Sequence, residues 1–127
     1  MSTNVSLKAL DRLTFQPGEV IFREGDVGDR AFVIMRGLVE ISKASAKRSV
    51  VLEKVGVQGI FGEMALIDDR PRSATATALE LTQCMIIQHK ELRQKLERTD
   101  PFIRALLRIM VRNVRSTNRL VVKDDEA

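Results

Sequence analysis

The segment 59–75, GIFGEMALIDDRPRSAT, contains the residue types that are most able to do chemistry. Gly62 lets the backbone come close to another group, and Glu63 opens a stretch that can form a short helix, whose unpaired N–H groups attract an anion. Arg72 follows nine residues after Glu63 and directly after Pro71, which stiffens its approach. Its planar guanidinium suits phosphate oxygens. The pattern indicates an anion site, and a surface turn with an ion pair between Arg72 and Glu63 is the alternative.

The single histidine, His89, and the single cysteine, Cys84, limit what other chemistry the chain can do. They leave almost no material for a His/Cys metal site, a histidine-based triad or the ligand cluster of a cupin-type enzyme. One cysteine also excludes an internal disulfide and fits a reducing compartment. We therefore expect no enzyme activity. Cys84 is predicted on the core side of a strand and His89 at a helix start, and neither is assigned a function.

The length and the hydropathy pattern favour one domain without a membrane span. The chain has 127 residues and a mass of 14.3 kDa, which is enough for a single core. No stretch approaches the roughly 18 apolar residues that a membrane helix needs, and the first ten residues carry no apolar signal segment. We expect a cytoplasmic protein.

The glycine distribution separates a strand-rich first half from a helical second half. All seven glycines lie between residues 18 and 62, and glycines at this density mark turns between short strands. Strands are predicted over residues 20–23, 31–35, 39–43, 50–55, 74–79 and 83–88, and a further one ends at Phe61. Arg36 and Gly37 predict a tight hairpin. The spacing is typical of a small antiparallel barrel or jelly roll.

From residue 89 onward the periodicity predicts two helices, over residues 89–98 and 101–122, with a cap formed by Thr99, Asp100 and Pro101. The longer helix carries three strips. One strip consists of Arg104, Arg108, Arg112, Arg115 and Arg119. A second strip, with the spacing of a coiled-coil seam, consists of Ile103, Leu107, Met110, Val114, Thr117 and Val121. A third, apolar strip consists of Phe102, Leu106, Ile109 and Leu120, and it is predicted to lie against the strands.

Two apolar strips on one helix of a small chain need two partners, so we expect a homodimer through the helix 101–122; a monomer is the alternative. The net charge of +4 comes from this region, because residues 89–123 hold ten Lys/Arg against three acidic residues. A charged strip opposite apolar ones is usually a solvated face. Binding of nucleic acid is the alternative, and it is not expected because no recognition helix follows residue 122.

The run FGEMALIDDRPRSATATA, residues 61–78, resembles the phosphate-binding cassette of cyclic nucleotide-binding domains, the module of the bacterial catabolite activator, cyclic nucleotide-regulated kinases and gated channels. PGEVIF at 17–22 and FVI at 32–34 agree with this family. The resemblance implies an α+β fold over residues 1–127. It consists of an antiparallel double-stranded β-helix (a jelly-roll barrel, about 14–88, with its cassette at 59–75), a short N-terminal helix and two C-terminal helices.

The resemblance also implies roles for individual residues. Arg72 resembles the arginine that pairs with the cyclic phosphate, and Glu63 the glutamate that accepts the ribose 2′-hydroxyl. A carboxylate accepts a hydroxyl proton but repels a phosphate, so the two serve opposite ends of one sugar-phosphate. The remaining expected ligand contacts are Gly62, Met64, Ala65, Ser73, Ala74, Thr117 and Asn118. Ser73 can bond the phosphate or bond its own backbone; Thr117 and Asn118 resemble residues that contact adenine, with a tolerated threonine and a solvent-side asparagine as alternatives.

The implied function is that of a sensor that binds a 3′,5′-cyclic nucleotide and needs no further cofactor. We expect cAMP to be favoured over cGMP, and we expect binding to shift the two C-terminal helices against the barrel. The alternatives are a cGMP-preferring sensor and a protein that binds nucleic acid or a scaffold through its basic helix.

Overall fold

The computed structural model describes residues 11–126, and side chains only as far as residue 123. In this part of the chain the strands are β1 (Arg12–Phe15), β2 (Val20–Phe22), β3 (Arg30–Arg36), β4 (Val39–Ala44), β5 (Ser49–Val55), β6 (Ile60–Phe61), β7 (Thr75–Ala78) and β8 (Thr82–Gln88). The helices are α1 (Glu63–Asp68), α2 (His89–Glu97) and α3 (Pro101–Glu126). The predicted short N-terminal helix lies outside the described residues.

The strands form two antiparallel four-stranded sheets, in the orders β1-β8-β3-β6 and β2-β7-β4-β5. The predicted α+β jelly roll with C-terminal helices is therefore confirmed. All six strands predicted from apolar runs are present, and so is the strand that ends at Phe61. Strand β1 was missed, because its four residues, RLTF, contain only two apolar side chains before Pro17 interrupts them.

The core lies between the two sheets, where the inward residues of each strand meet. Phe32 is at its centre: its ring stacks on Phe61 at 5.0 Å and meets the edge of Phe15 at 6.2 Å. Cys84 on β8 is fully buried in this core, as predicted, and burial raises the pKa of its thiol to about 11. Phe61 is the last core residue before the chain leaves the sheets to form α1, and the chain returns to the core at Ala76.

The predicted hairpin at Arg36 and Gly37 is wrong. Strand β3 pairs with β6 and β8, whereas β4 pairs with β5 and β7, so the turn carries the chain from one sheet to the other. Gly37 has φ +109°, and a Cβ there would lie 2.3 Å from Thr82 Oγ1 and 2.6 Å from Thr82 Cα. The glycine is needed at this corner both for its backbone conformation and for the close approach of the buried Thr82.

The two C-terminal helices begin where predicted, and α3 extends to Glu126. Asp100 Oδ1 accepts a hydrogen bond from the Phe102 N–H at 2.8 Å, which satisfies one of the unpaired donors at the start of α3.

The face by which α3 packs on the domain differs from the prediction. Its buried residues are Val111, Arg115 and Val122, so one member of the arginine strip packs inward, whereas Arg108, Arg112 and Arg119 stay exposed. The third strip, predicted to lie against the strands, is exposed instead, with Phe102 at 70% and Leu120 at 61%. The solvated-face prediction fails at Arg115, which is only 7% exposed, because Asp68 at the end of α1 supplies a carboxylate to pair with it.

Replacing Gly37 by alanine should destabilise the fold by about 2 to 5 kcal/mol, the sum of a left-handed backbone conformation and a forced repacking around Thr82. Gly18→Ala is the matched control, because Gly18 has φ +86° but nothing within 4 Å of the added Cβ. It should cost only about 1 to 2 kcal/mol. Urea denaturation of the two variants measures the difference, and equal losses would show that Thr82 does not constrain Gly37.

Candidate functional site

A cleft beside β6 and the start of α1 contains most of the predicted site. It is lined by the start of α1, by the segment 69–74 between α1 and β7 (the arm that carries Arg72), by β5 and by α3. Seven of the nine predicted residues lie on its wall: Gly62, Glu63, Met64, Ala65, Arg72, Ser73 and Ala74. Asn118 lines an adjoining cavity together with Arg72 and Ser73, whereas Thr117 is exposed on the outer seam of α3.

Arg72 is buried although it is charged, with 6% of its surface exposed. Its Nη1 and Nη2 donate hydrogen bonds of 2.7 Å to the carbonyl oxygens of Gly62 and Arg30. The guanidinium lies 4.0 Å from the centre of the Phe22 ring, a cation–π contact. Its Nε is buried without a partner among the described residues. The side chain is thus fixed by the barrel and retains a donor for an anion.

Two glycines make the space that Arg72 occupies. A Cβ at Gly62, where φ is +82°, would lie 2.8 Å from Arg72 Nη1. A Cβ at Gly28 would lie 2.8 Å from both Cζ and Nε of Arg72, and 2.6 Å from the Cβ of Ala65. The role of Gly28 was missed, and its only sequence signal is its place three residues after Gly25 in a loop rich in turn residues.

The backbone around Arg72 is held by the loop that contains Gly25. The Arg72 N–H donates to the Asp26 carbonyl at 2.8 Å, and the Gly25 N–H donates to the Arg72 carbonyl at 2.8 Å. One residue further on, Lys43 Nζ donates to the Ser73 carbonyl at 2.8 Å and pairs with Glu24 at 2.9 Å. The arm that carries Arg72 therefore has a fixed position before any ligand arrives.

Glu63 lines the same cleft, and one of its carboxylate oxygens also lacks a hydrogen-bond partner among the residues that the structure describes. Its Oε2 is buried without a hydrogen-bond partner in the described residues. Burial raises the pKa of Glu63 above 4.5, a hydrogen bond to its own backbone opposes that rise, and the nearby charge of Glu53 adds to it. A carboxylate in this state is an acceptor that a ligand hydroxyl would satisfy.

Arg115 was not predicted to belong to the cleft, yet it lines it from α3. Its Nε donates to Asp68 Oδ2 at 2.6 Å, its Nη2 to Asp68 Oδ1 at 3.1 Å, and its Nη1 to the Pro71 carbonyl at 3.2 Å. Nothing in the sequence distinguishes it from the other four arginines of the strip, because its position depends on where α1 ends in space.

The cyclic nucleotide-binding domain family matches residues 12–99, more than half of the chain. This chain belongs to the cyclic nucleotide-binding domain family. The match covers the barrel, the cassette helix α1 and α2, so the arginine and the glutamate that face the cleft lie inside it. The resemblance inferred from the sequence is confirmed.

Two relatives of this cyclic nucleotide-binding domain are named as regulators. The chain is 36% identical over 100 residues to a "cAMP-dependent protein kinase regulatory subunit" of Dictyostelium discoideum, covering 76% of this chain and 31% of that protein. It is 31% identical over 112 residues to a "CRP-like cAMP-activated global transcriptional regulator" of Mycobacterium tuberculosis, covering 87% of this chain and 50% of that protein. The chain therefore spans between 31% and 50% of the length of these relatives.

Solved structures show the same fold at similar identity. The EAL enzyme Bd1971 in its cAMP-bound form matches with a TM-score of 0.83 and 33% identity, over 89% of this chain and 30% of that one. The cGMP-bound form of that enzyme matches with a TM-score of 0.79 and 34% identity, over 82% and 28%. Within the described residues of the domain, no helix is both long enough and apolar enough to cross a membrane.

The buried carboxylate of Glu63 should cost the ligand-free domain stability at neutral pH. Because burial raises its pKa, the folded state binds this proton more tightly than the unfolded state does. The penalty is absent below the ordinary pKa, grows as the pH rises through the raised pKa, and is complete above it. Glu63→Gln should therefore increase the free energy of unfolding at pH 7 to 8 and change it little at pH 4.

Urea denaturation between pH 4 and pH 8 measures this effect. Glu80→Gln is the control, because Glu80 is exposed and is not among the groups that shift the pKa of Glu63, and its effect on stability should be small at every pH. A Glu63→Gln variant that is less stable than wild type at pH 7, or a difference that does not change with pH, would contradict the prediction.

Proposed function

We propose that this domain is a sensor module that binds a 3′,5′-cyclic nucleotide, with cAMP favoured, in the cleft between the cassette and α3. One observation carries the proposal: the same cleft holds a buried donor, Arg72 Nε, and a buried acceptor, Glu63 Oε2, that both lack partners among the described residues. An unpaired buried donor and an unpaired buried acceptor each cost stability. A ligand that is anionic at one end and carries a hydroxyl at the other would satisfy both.

The groups of a cyclic nucleotide match this pair. Its phosphate would lie at Arg72, with the backbone of Ala74 and the hydroxyl of Ser73 nearby. Its ring leaves only the ribose 2′-hydroxyl free, and one acceptor, Glu63, is enough for it. Gly62, Met64 and Ala65 would pack on the sugar-phosphate at the start of α1. The cAMP-bound and cGMP-bound forms of the EAL enzyme, which share this fold, support a ligand of this class.

The preference for cAMP rests on α3 and is a finer proposal. Asn118 lies beside the cavity that adjoins Arg72 and Ser73, where it could reach a base that leaves the cleft toward α3. Thr117 faces away from its own cleft, so it could reach only a nucleotide bound by a second copy of the chain. Ser73 would accept either base.

The exposed face of α3 supports the proposed homodimer. Ile103, Met110, Val114 and Val121 of the seam are between 42% and 54% exposed, and burying each such side chain fully contributes roughly 1.5 to 3 kcal/mol. At about 100° per residue the arginine strip lies on a different side of α3 from the seam, so two copies could bring their seams together without opposing these guanidinium groups. A parallel pair would also carry Thr117 of one chain toward the cleft of the other.

The output that we propose is a movement of α2 and α3 against the barrel. Helix α1 contains Glu63, Met64 and Ala65 of the proposed ligand site, and its last residue, Asp68, is bonded to Arg115 of α3. A shift of the cassette on binding would therefore be passed to α3. We propose no catalytic activity for this chain.

Arg72→Ala should weaken cAMP binding by about 2 to 5 kcal/mol, since it removes a charge-assisted contact in a buried site. Arg70→Ala is the control, because Arg70 lies in the same loop but is exposed, and its binding should stay within about threefold of wild type. Isothermal titration calorimetry compares them, and the unfolding midpoint without ligand checks the fold. Arg72→Lys should recover only part of the affinity, because lysine lacks the planar guanidinium with its several N–H donors. Equal affinities for Arg72→Ala and wild type would reject the site.

Competition between cAMP and cGMP for one labelled cyclic nucleotide tests the base preference. We expect cAMP to displace the label at the lower concentration, and Asn118→Ala to narrow the difference, because the amide that could bond the adenine is removed. Glu40→Ala, on β4, is a control that should leave the ratio unchanged. Equal or tighter binding of cGMP by wild type would contradict the preference while leaving the cyclic nucleotide site intact.

Val114→Glu should convert the proposed dimer into a monomer, because it places a charge in the centre of the apolar seam. Arg112→Glu, two residues away on the arginine strip, should leave the dimer in place. Sedimentation velocity at tens of micromolar protein, with and without cAMP, distinguishes the two species. A wild-type monomer under both conditions would contradict the homodimer.

A further inference from the structure

The buried guanidinium of Arg115 is the strongest feature of the cleft that the proposed function leaves without a part in ligand binding. Its side chain is 8% exposed, although it extends from a helix whose other arginines are mostly exposed. Three hydrogen bonds orient it, two from Nε and Nη2 to Asp68 and one from Nη1 to the Pro71 carbonyl. A bidentate pair of this kind fixes both the position and the plane of the group.

These bonds use three of the five N–H donors of Arg115, so one donor on each Nη atom remains. The residue lines the same cleft as Arg72, Ser73 and Glu63, and it also lines the adjoining cavity beside Ser73. Its bond to Pro71 places it against the arm that leads directly into Arg72. The two guanidinium groups therefore reach one cleft from different elements: Arg72 from the barrel and Arg115 from α3.

We propose that Arg115 is a second ligand-binding arginine of this site, one that donates to the cyclic phosphate from the α3 side, and that Asp68 is the positioning residue that holds it there. The inference rests on the proposed function. The bonds from Nη1 and Nη2 of Arg72 to the carbonyls of Gly62 and Arg30 fix the plane of its guanidinium, so it approaches the phosphate from one direction only. A second guanidinium would bond the exocyclic oxygen that Arg72 does not face.

The alternative is that Arg115 only fastens α3 to the cassette. Phosphorothioate analogues of cAMP separate the two, because the Rp and Sp diastereomers each replace one of the two exocyclic oxygens by sulfur, a weak acceptor. If Arg115 only holds α3 to the cassette, its removal would lower the affinity for cAMP and for both diastereomers by the same factor. Loss of a contact to one oxygen would weaken cAMP and one diastereomer, but would scarcely weaken the diastereomer that already lacks that oxygen.

The experiment is a calorimetric titration of wild type, Arg115→Ala, Arg115→Lys and Asp68→Asn with cAMP, Rp-cAMPS and Sp-cAMPS. We expect Arg115→Ala to lose at least tenfold in cAMP affinity but no more than about threefold for one diastereomer, with Arg115→Lys and Asp68→Asn intermediate for the same ligands. Arg93→Ala is the matched control: it removes the ion pair that ties the next residue, Asp69, to α2, and should leave all three affinities within about twofold.

The outcomes distinguish this inference from the proposed function. If wild type binds none of the three ligands, the proposed function fails, and the inference fails with it. If wild type binds cAMP but Arg115→Ala stays within about threefold of it, or loses the same factor for all three ligands, the inference is wrong and the cyclic nucleotide site stands. If Arg115→Ala lacks a cooperative unfolding transition, the lysine variant decides between the same two results.

Discussion

The burial of one guanidinium, that of Arg72, sets the requirements that the surrounding structure meets. A charge taken out of water needs its donors satisfied and its surroundings shaped. Two backbone carbonyls and the face of Phe22 provide this. Gly28 and Gly62 leave space for the guanidinium, because a Cβ at either position would lie 2.8 Å from one of its atoms. The barrel therefore builds its cassette around an arginine that is already in place.

The cleft combines this fixed cation with a carboxylate that is costly to keep charged. Burial raises the pKa of Glu63 and lowers that of Arg72, so the charged form of each group is less stable here than it would be in water. Such preorganisation lowers stability and raises affinity, because the cost of orienting the groups is met during folding rather than on binding. Under the proposed function, a single anionic ligand with one free hydroxyl would satisfy both groups at once.

The sequence was sufficient for the features that depend on local chemistry. The cassette helix, the cap at Asp100 and the strands with clear apolar runs follow from residue type and spacing. The features that failed depend on tertiary context. The turn at Gly37 looks the same whether its strands pair or separate into two sheets. The docking face of α3 was mispredicted because hydrophobicity favours an apolar strip. Asp68 lies where it can form an ion pair with Arg115, and this pair lets an arginine face the domain instead of an apolar strip.

The placement of Cys84 has a practical consequence. It is the only cysteine of the chain, it is fully enclosed between the sheets, and its thiol holds its proton to a pKa of about 11. A thiol reagent reacts with the thiolate, so modification has to wait until the barrel opens and both water and reagent reach the sulfur. The rate at which this sulfur is labelled therefore measures how often the core opens. It reports how firmly the two sheets are closed without any probe being added to the molecule.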